Sequence, residues 1–232
     1  MRWPGDSRPP EPPREGALLL RLRWHYDWSM ADEHDSEVEA EEQEGPQLDP
    51  ETVARRAAAM SFVRQFGDPV LKNRAIEVDT FDDTLQSQVA RMAGLMDDAL
   101  GVGLAAPQLG ISQRLLVYRI GPDAPVIALV NPEIEWSSED EETGEEGCLS
   151  ISGVNVDVDR AIHVRVRARD ELGEPRVVEA SGLEARVILH EIDHLDGVLI
   201  LDRTSRDQRR QAMRELRARE REQQERAAEQ AA

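Results

Sequence analysis

The sequence predicts an α+β domain, and three observations carry that reading. Apolar residues recur at helical spacing in two stretches, residues 84–99 and 182–195; a period of two runs through residues 162–169; and short β-branched runs bounded by Gly, Pro and Asn fill the interval between. At 232 residues the chain has room for one ordinary domain with appendages.

The first helix rests on Leu85, Val89, Met92, Met96 and Ala99, whose intervals of four and three share one face while Arg91, Asp97 and Asp98 fall elsewhere. It ends at the glycine-rich GVGLAAPQLG. LLVYRI and VIALV follow as short strands. Ile162, Val164, Val166 and Ala168 then alternate with His163, Arg165, Arg167 and Arg169, the pattern of a half-buried antiparallel strand, and DELGEP before RVVEA predicts a hairpin. Ser181 with Glu184 reads as a capping box for the second helix, Leu183, Val187, Ile188, Ile192 and Leu195 continue it, and Gly197 closes it.

Upstream, Gly67-Asp68-Pro69 predicts a turn, and order is expected from about Ser61. Residues 1–55, Pro-rich and then acidic, are expected to be a disordered extension, residues 56–205 the main folded domain and 206–232 a charged C-terminal helix or tail. Met30 and Met60 are alternative starts.

The net charge of −19 is concentrated: residues 32–51 hold ten acids and no Lys or Arg, and residues 133–146 hold eight more acids and no base. Both runs read as solvated acidic surface, which disfavours DNA binding. Cys148 is the only cysteine, so an intrachain disulfide is excluded and a reducing, cytoplasmic setting fits. No apolar run approaches the roughly 20 residues needed to cross a bilayer.

The strongest local signal is HEIDH at residues 190–194. His190 and His194, four apart on a helix, project from one face and can reach a single metal ion; Glu191 lies beside them, where a carboxylate can take a proton from water. Two histidines leave such a site incomplete. The candidates for a third ligand are Cys148 upstream and the carboxylates Asp196, Asp202 and Glu215 downstream.

Three segments then fall into place together. GVGLAAPQ at 101–108, EGCLS at 146–150 and HEIDHLDG at 190–197 resemble, in order and spacing, the signature motifs of the peptide deformylases, with a weaker start at FGDPVL; the resemblance covers about 140 of the 232 residues. It implies antiparallel sheets wrapped around a central metal-binding helix, with a C-terminal helix. It implies hydrolysis of the N-formyl group from N-formylmethionyl nascent polypeptides, with release of formate. By the same resemblance Cys148, His190 and His194 are the metal ligands and Glu191 the general base, while the Gln108 amide and the Leu149 N–H face the developing oxyanion. Gly103 admits the substrate backbone, Val102, Leu183 and Val187 surround the methionine side chain, and Arg160 pairs with Glu146. The implied metal is Fe2+, with Zn2+, Ni2+ or Co2+ as substitutes. The chain departs from the family pattern at Leu189 (usually Gln), at Ser152 (usually Pro), and at Gly144 with its acidic surroundings.

Two other functions share the histidine pair. A small zinc peptidase would bind metal without Cys148, and a non-catalytic docking module would have lost its base or a ligand, whereas all are present. The eight arginines of residues 206–226 suit a solvated helix, or contact with the ribosome through that helix.

Overall fold

The computed structural model describes residues 48–230. Helices α1 (Pro50–Met60) and α2 (Asp83–Asp98) precede β1 (Gly103–Ala105), β2 (Leu115–Tyr118), β3 (Ile127–Ser137), β4 (Glu141–Gly147), β5 (Asn155–Ala161), β6 (His163–Arg169) and β7 (Pro175–Ser181); α3 (Leu183–Leu195), α4 (Ile200–Arg203) and α5 (Arg206–Gln230) close the chain. The strands form an antiparallel sheet in the order β1-β2-β3-β6-β7 and a separate β4-β5 hairpin. This is the α+β arrangement the sequence predicts. α3 touches β1, β2 and β7 of the large sheet and β5 of the small one, so the histidine-bearing helix sits between the two.

Why β2 reads as a continuous apolar run is now plain. Leu115 and Val117 pack with Met92 and Met96 of α2, while Leu116 and Tyr118 pack with Ile188 and Ile192 of α3. A strand covered on both faces has no polar side to alternate with. A third cluster joins Val156 and Val158 of β5 to Leu199, Ile200 and Leu201 around α4, with Ala212, Met213 and Leu216 docking the first half of α5.

Three expectations need correction. Regular structure is present upstream of Ser61: α1 covers Pro50–Met60, and Asp49 caps it by accepting from the Thr52 N–H, with proline in the first turn. Residues 1–47 lie outside the described residues, and with them most of the extension expected to be disordered. The acidic stretch 133–146 is largely exposed as expected, but it is built into two strands, β3 running on to Ser137 and β4 beginning at Glu141, and its last residue, Glu146, is buried. Glutamate is a poor strand former alone, but Glu133 and Glu135 of β3 face Arg165 and Arg167 of β6, and opposite charges across a pair stabilise it. Finally, Ser181 and Glu184 make no capping box. The N-cap is Gly182, with φ +56° and no side-chain cap; the Ser181 hydroxyl pairs with the His163 ring and the Glu184 carboxylate accepts from Tyr118. β7 runs directly into α3, so its last residue is committed to the sheet.

Among the described residues no helix is long and apolar enough to cross a membrane.

Candidate active site

The site is built where α3, β1 and the turn after β4 converge. Cys148 immediately follows β4, and its sulfur lies 3.3 Å from His194 Nε2. One ligand atom from each of Cys148, His190 and His194 falls within 4.8 Å of the others, and the two rings stand edge to face with centroids 5.0 Å apart. Nitrogen and sulfur ligands about 2.0–2.3 Å from one ion are about 3.5 Å from each other, so these three donors fit a single cation. Of the candidates left open by spacing, the fold brings Cys148 to the histidines; Asp196 pairs with Arg114 and Asp202 with Lys72.

The two rings sit in different electrostatic settings. Burial by itself would lower His190, yet the Cys148 sulfur and the Glu146 carboxylate outweigh it and hold the ring well above its ordinary value. His194 is pushed well below its ordinary value, first by burial and then by the neighbouring His190 ring and the Arg160 guanidinium, against the pull of Glu146. Its Nδ1, like Glu191 Oε2, is buried without a hydrogen-bond partner. A sulfur and two imidazoles this close, beside a buried carboxylate, are a donor set suited to a divalent cation.

Glu191 is 4 % exposed, and burial pushes its carboxyl up to about 7 against the pull of the His190 ring. It presses against β1: a Cβ built on Gly103 would stand 2.4 Å from Glu191 Oε1. Gly103 thus makes room for the Glu191 carboxylate, which any side chain at that position would meet.

Gln108 is oriented rather than merely near. Its Oε1 accepts from the Ala105 N–H at 2.8 Å, which turns Nε2 toward Ser150 Oγ (3.3 Å) and the Cys148 sulfur (3.8 Å). Leu149 lies in the turn after Cys148, closed by the Ile151 N–H donating to Cys148 O and the Phe66 N–H to Ser150 O; neither bond uses the Leu149 amide. Of the expected methionine-pocket residues, Val187 is buried and Val102 packs in the same cluster, while Leu183, 54 % exposed, stands at the start of α3.

Behind the histidines lies a charge network that sequence reading caught only in part. The expected Arg160–Glu146 pair forms with two parallel bonds of 2.8 and 2.9 Å. Arg160 also donates to Asp193, which in turn accepts from Arg203, and Arg186 donates to Glu146. The signals were present: Asp193 is inside HEIDH, and Arg186 lies four residues before His190, on the same helix face.

Comparisons with known proteins point to one family. The family model described as Polypeptide deformylase matches residues 60–210. The peptide deformylase of Acidothermus cellulolyticus is 46 % identical over 159 residues, 68 % of this chain and 87 % of that one, and the Thermotoga neapolitana peptide deformylase is 49 % identical over 144 residues, 62 % and 87 %. Among solved structures, a peptide deformylase from Legionella pneumophila superposes with a TM-score of 0.66 at 43 % identity, covering 69 % of this chain and 95 % of that one. One from Synechococcus elongatus gives 0.64 at 43 % identity, covering 66 % and 85 %. With a motif set in order, a matching fold and relatives that are covered almost end to end, this chain belongs to the polypeptide deformylase family.

Proposed function

We infer that this chain, as a metal-dependent hydrolase of that family, removes the formyl group from N-formylmethionyl peptides through Cys148, His190 and His194 as ligands and Glu191 as proton carrier. The observation that carries the reading is the approach of one sulfur and two imidazoles, distant in sequence, beside a buried carboxyl raised to about 7.

A divalent cation held there supplies Lewis acidity, making water a competent nucleophile near neutral pH and polarising the formyl oxygen. The protein's own groups do the rest. Glu191 accepts the proton that the attacking water loses and returns it to the leaving amine, and a carboxyl near 7 is matched to both transfers at neutral pH. Gln108, locked by its bond to Ala105, aims Nε2 at the space beside Cys148, where it and the Leu149 N–H meet the oxyanion. Each such donor is worth about 3–4 kcal/mol of transition-state stabilisation.

β1 is an outer strand of the large sheet, which leaves its free edge beside the site. A peptide chain following the formylmethionine pairs along that edge by main-chain hydrogen bonds, and Val102, Leu183 and Val187 take the methionine side chain. Fe2+ is the native metal on this reading, with Zn2+, Ni2+ or Co2+ able to replace it. The work is placed in the cytoplasm on nascent chains, with the arginines of α5 contacting the ribosome.

Anaerobic purification with metal analysis, followed by formate release from a formyl-methionyl peptide, tests site and reaction together. One equivalent of metal and steady formate release are expected. Glu191→Gln should keep the metal and lose about 10²- to 10⁴-fold in rate, whereas Cys148→Ala should lose the metal. Full activity in either variant overturns the assignment.

A further inference from the structure

The carboxylate of Glu146 is surrounded by donors to saturation. Oε1 accepts from Arg160 Nε at 2.8 Å and Arg186 Nη1 at 3.0 Å; Oε2 accepts from Arg160 Nη2 at 2.9 Å and pairs with His190 Nδ1 at 2.9 Å. Four contacts use the four acceptor sites an ionised carboxylate has. With Nδ1 taken by Glu146, Nε2 is the ring nitrogen that would be left to hold a metal, so whatever fixes Glu146 fixes the ring.

Arg186 does more than touch Glu146. Its guanidinium also donates to the carbonyls of Glu142 (2.7 Å), Val158 (2.9 Å) and Gly144 (3.4 Å), gripping both strands of the β4-β5 hairpin. The side chain is 9 % exposed and reaches this position from the helix face that carries His190 and His194, at residues 186, 190 and 194. Gly144 leaves room for it: a Cβ there would lie 2.9 Å from Arg186 Cζ and Nη2, so any side chain would make the guanidinium shift. The glycine that stood out in the acidic strand is therefore the opening through which the guanidinium enters.

We propose that Arg186, admitted by Gly144, is a positioning residue for the metal ligand His190: it ties the β4-β5 hairpin to α3 and holds the Glu146 carboxylate that orients the ring. Arg160 alone leaves Oε1 with one donor and leaves the hairpin carbonyls of Glu142, Gly144 and Val158 without their guanidinium. The carboxylate then has freedom to rotate, and His190 with it. The inference rests on Cys148, His190 and His194 being the ligands, but its test is read on metal binding and not on formate release.

The experiment is a titration of the metal-free full-length protein with Co2+ against a chelating dye, with the cobalt ligand-field spectrum recorded and folding checked by circular dichroism and urea unfolding. Removing a residue that orients a ligand typically weakens metal affinity 10- to 100-fold, and this is expected for Arg186→Met, with shifted cobalt bands. Arg186→Lys, which keeps the charge but not the fork, should fall between. Gly144→Ala, which leaves every donor in place but crowds the guanidinium, should shift the bands in the same direction with a smaller loss. A folded Arg186→Met protein with wild-type affinity and spectrum overturns the proposal. If Arg186→Met fails to fold, Arg186→Lys decides: a wild-type spectrum and affinity there overturns it equally. Failure of the wild-type protein to bind Co2+ would instead sink the metal site itself.

Discussion

Two sets of carboxylate–guanidinium pairs occupy this molecule, and they differ in almost nothing but water. Beneath α3, Glu146 and Asp193 are bound by Arg160, Arg186 and Arg203, with the Glu146 and Arg160 side chains 5 % and 6 % exposed. Across β3, β6 and β7, Glu133, Glu135 and Glu179 face Arg165 and Arg167 in a ladder whose best pair, Arg167–Glu133 at 2.6 Å, is 60 % exposed on both sides. Distance does not separate the sets. What separates them is the fate of a group left behind: in the ladder a lone carboxylate is rehydrated, whereas under α3 it stays buried and charged.

The largest expected effect follows from that difference. Arg160→Met removes the guanidinium that bridges Glu146 and Asp193 and leaves each short of donors in the interior. Urea unfolding should show a loss of about 3–5 kcal/mol, the usual cost of breaking a buried pair from one side. A loss no larger than that of a ladder variant would erase the distinction drawn here.

Acid sharpens it next. Burial works to raise the Glu146 carboxyl, but the bonds from Arg160 and His190 prevail and hold it down to about 2, from 4.5 in the unfolded chain. A carboxyl lowered on folding gives stability that is complete above about pH 4.5 and fades as pH falls toward 2. The shift corresponds to on the order of 3 kcal/mol. The stability gap between the wild type and Arg160→Met should accordingly narrow over that window in acid unfolding curves, and a gap constant from pH 5 to 2 would refute the account.

The same contrast explains what could be read from the sequence. HEIDH displays its histidines because helical spacing puts 190 and 194 on one face, and the strand at β6 displays itself because its alternate residues face opposite environments. Local periodicity is visible in a chain of letters. The approach of Cys148 to His194 was reached only through the family resemblance, since spacing left Asp196, Asp202 and Glu215 equally open. The strands of residues 133–146 were hidden for a related reason: glutamate is a poor strand former, and the arginine partners on β6 that offset this are about 30 residues further along. The capping box failed because Ser181 belongs to β7, a competing commitment that only the sheet register reveals. Pairings of high sequence separation carry the parts of the fold that pattern alone cannot supply.

The smallest expected effect is in the ladder. Arg167→Ala should cost under about 1 kcal/mol at low salt, because both partners are well hydrated and each gives up side-chain freedom to meet. Salt then provides a control internal to the comparison. Raising ionic strength from about 0.1 to 1 M shortens the screening length from about 10 to 3 Å, so the Arg167→Ala penalty should shrink toward zero. The Arg160→Met penalty should persist, since counter-ions do not enter a site from which water is already excluded. Parallel urea unfolding of the two variants at both salt concentrations checks this. Equal salt sensitivity would mean that solvent reaches Glu146, and the burial on which the orientation of His190 depends would then be incomplete.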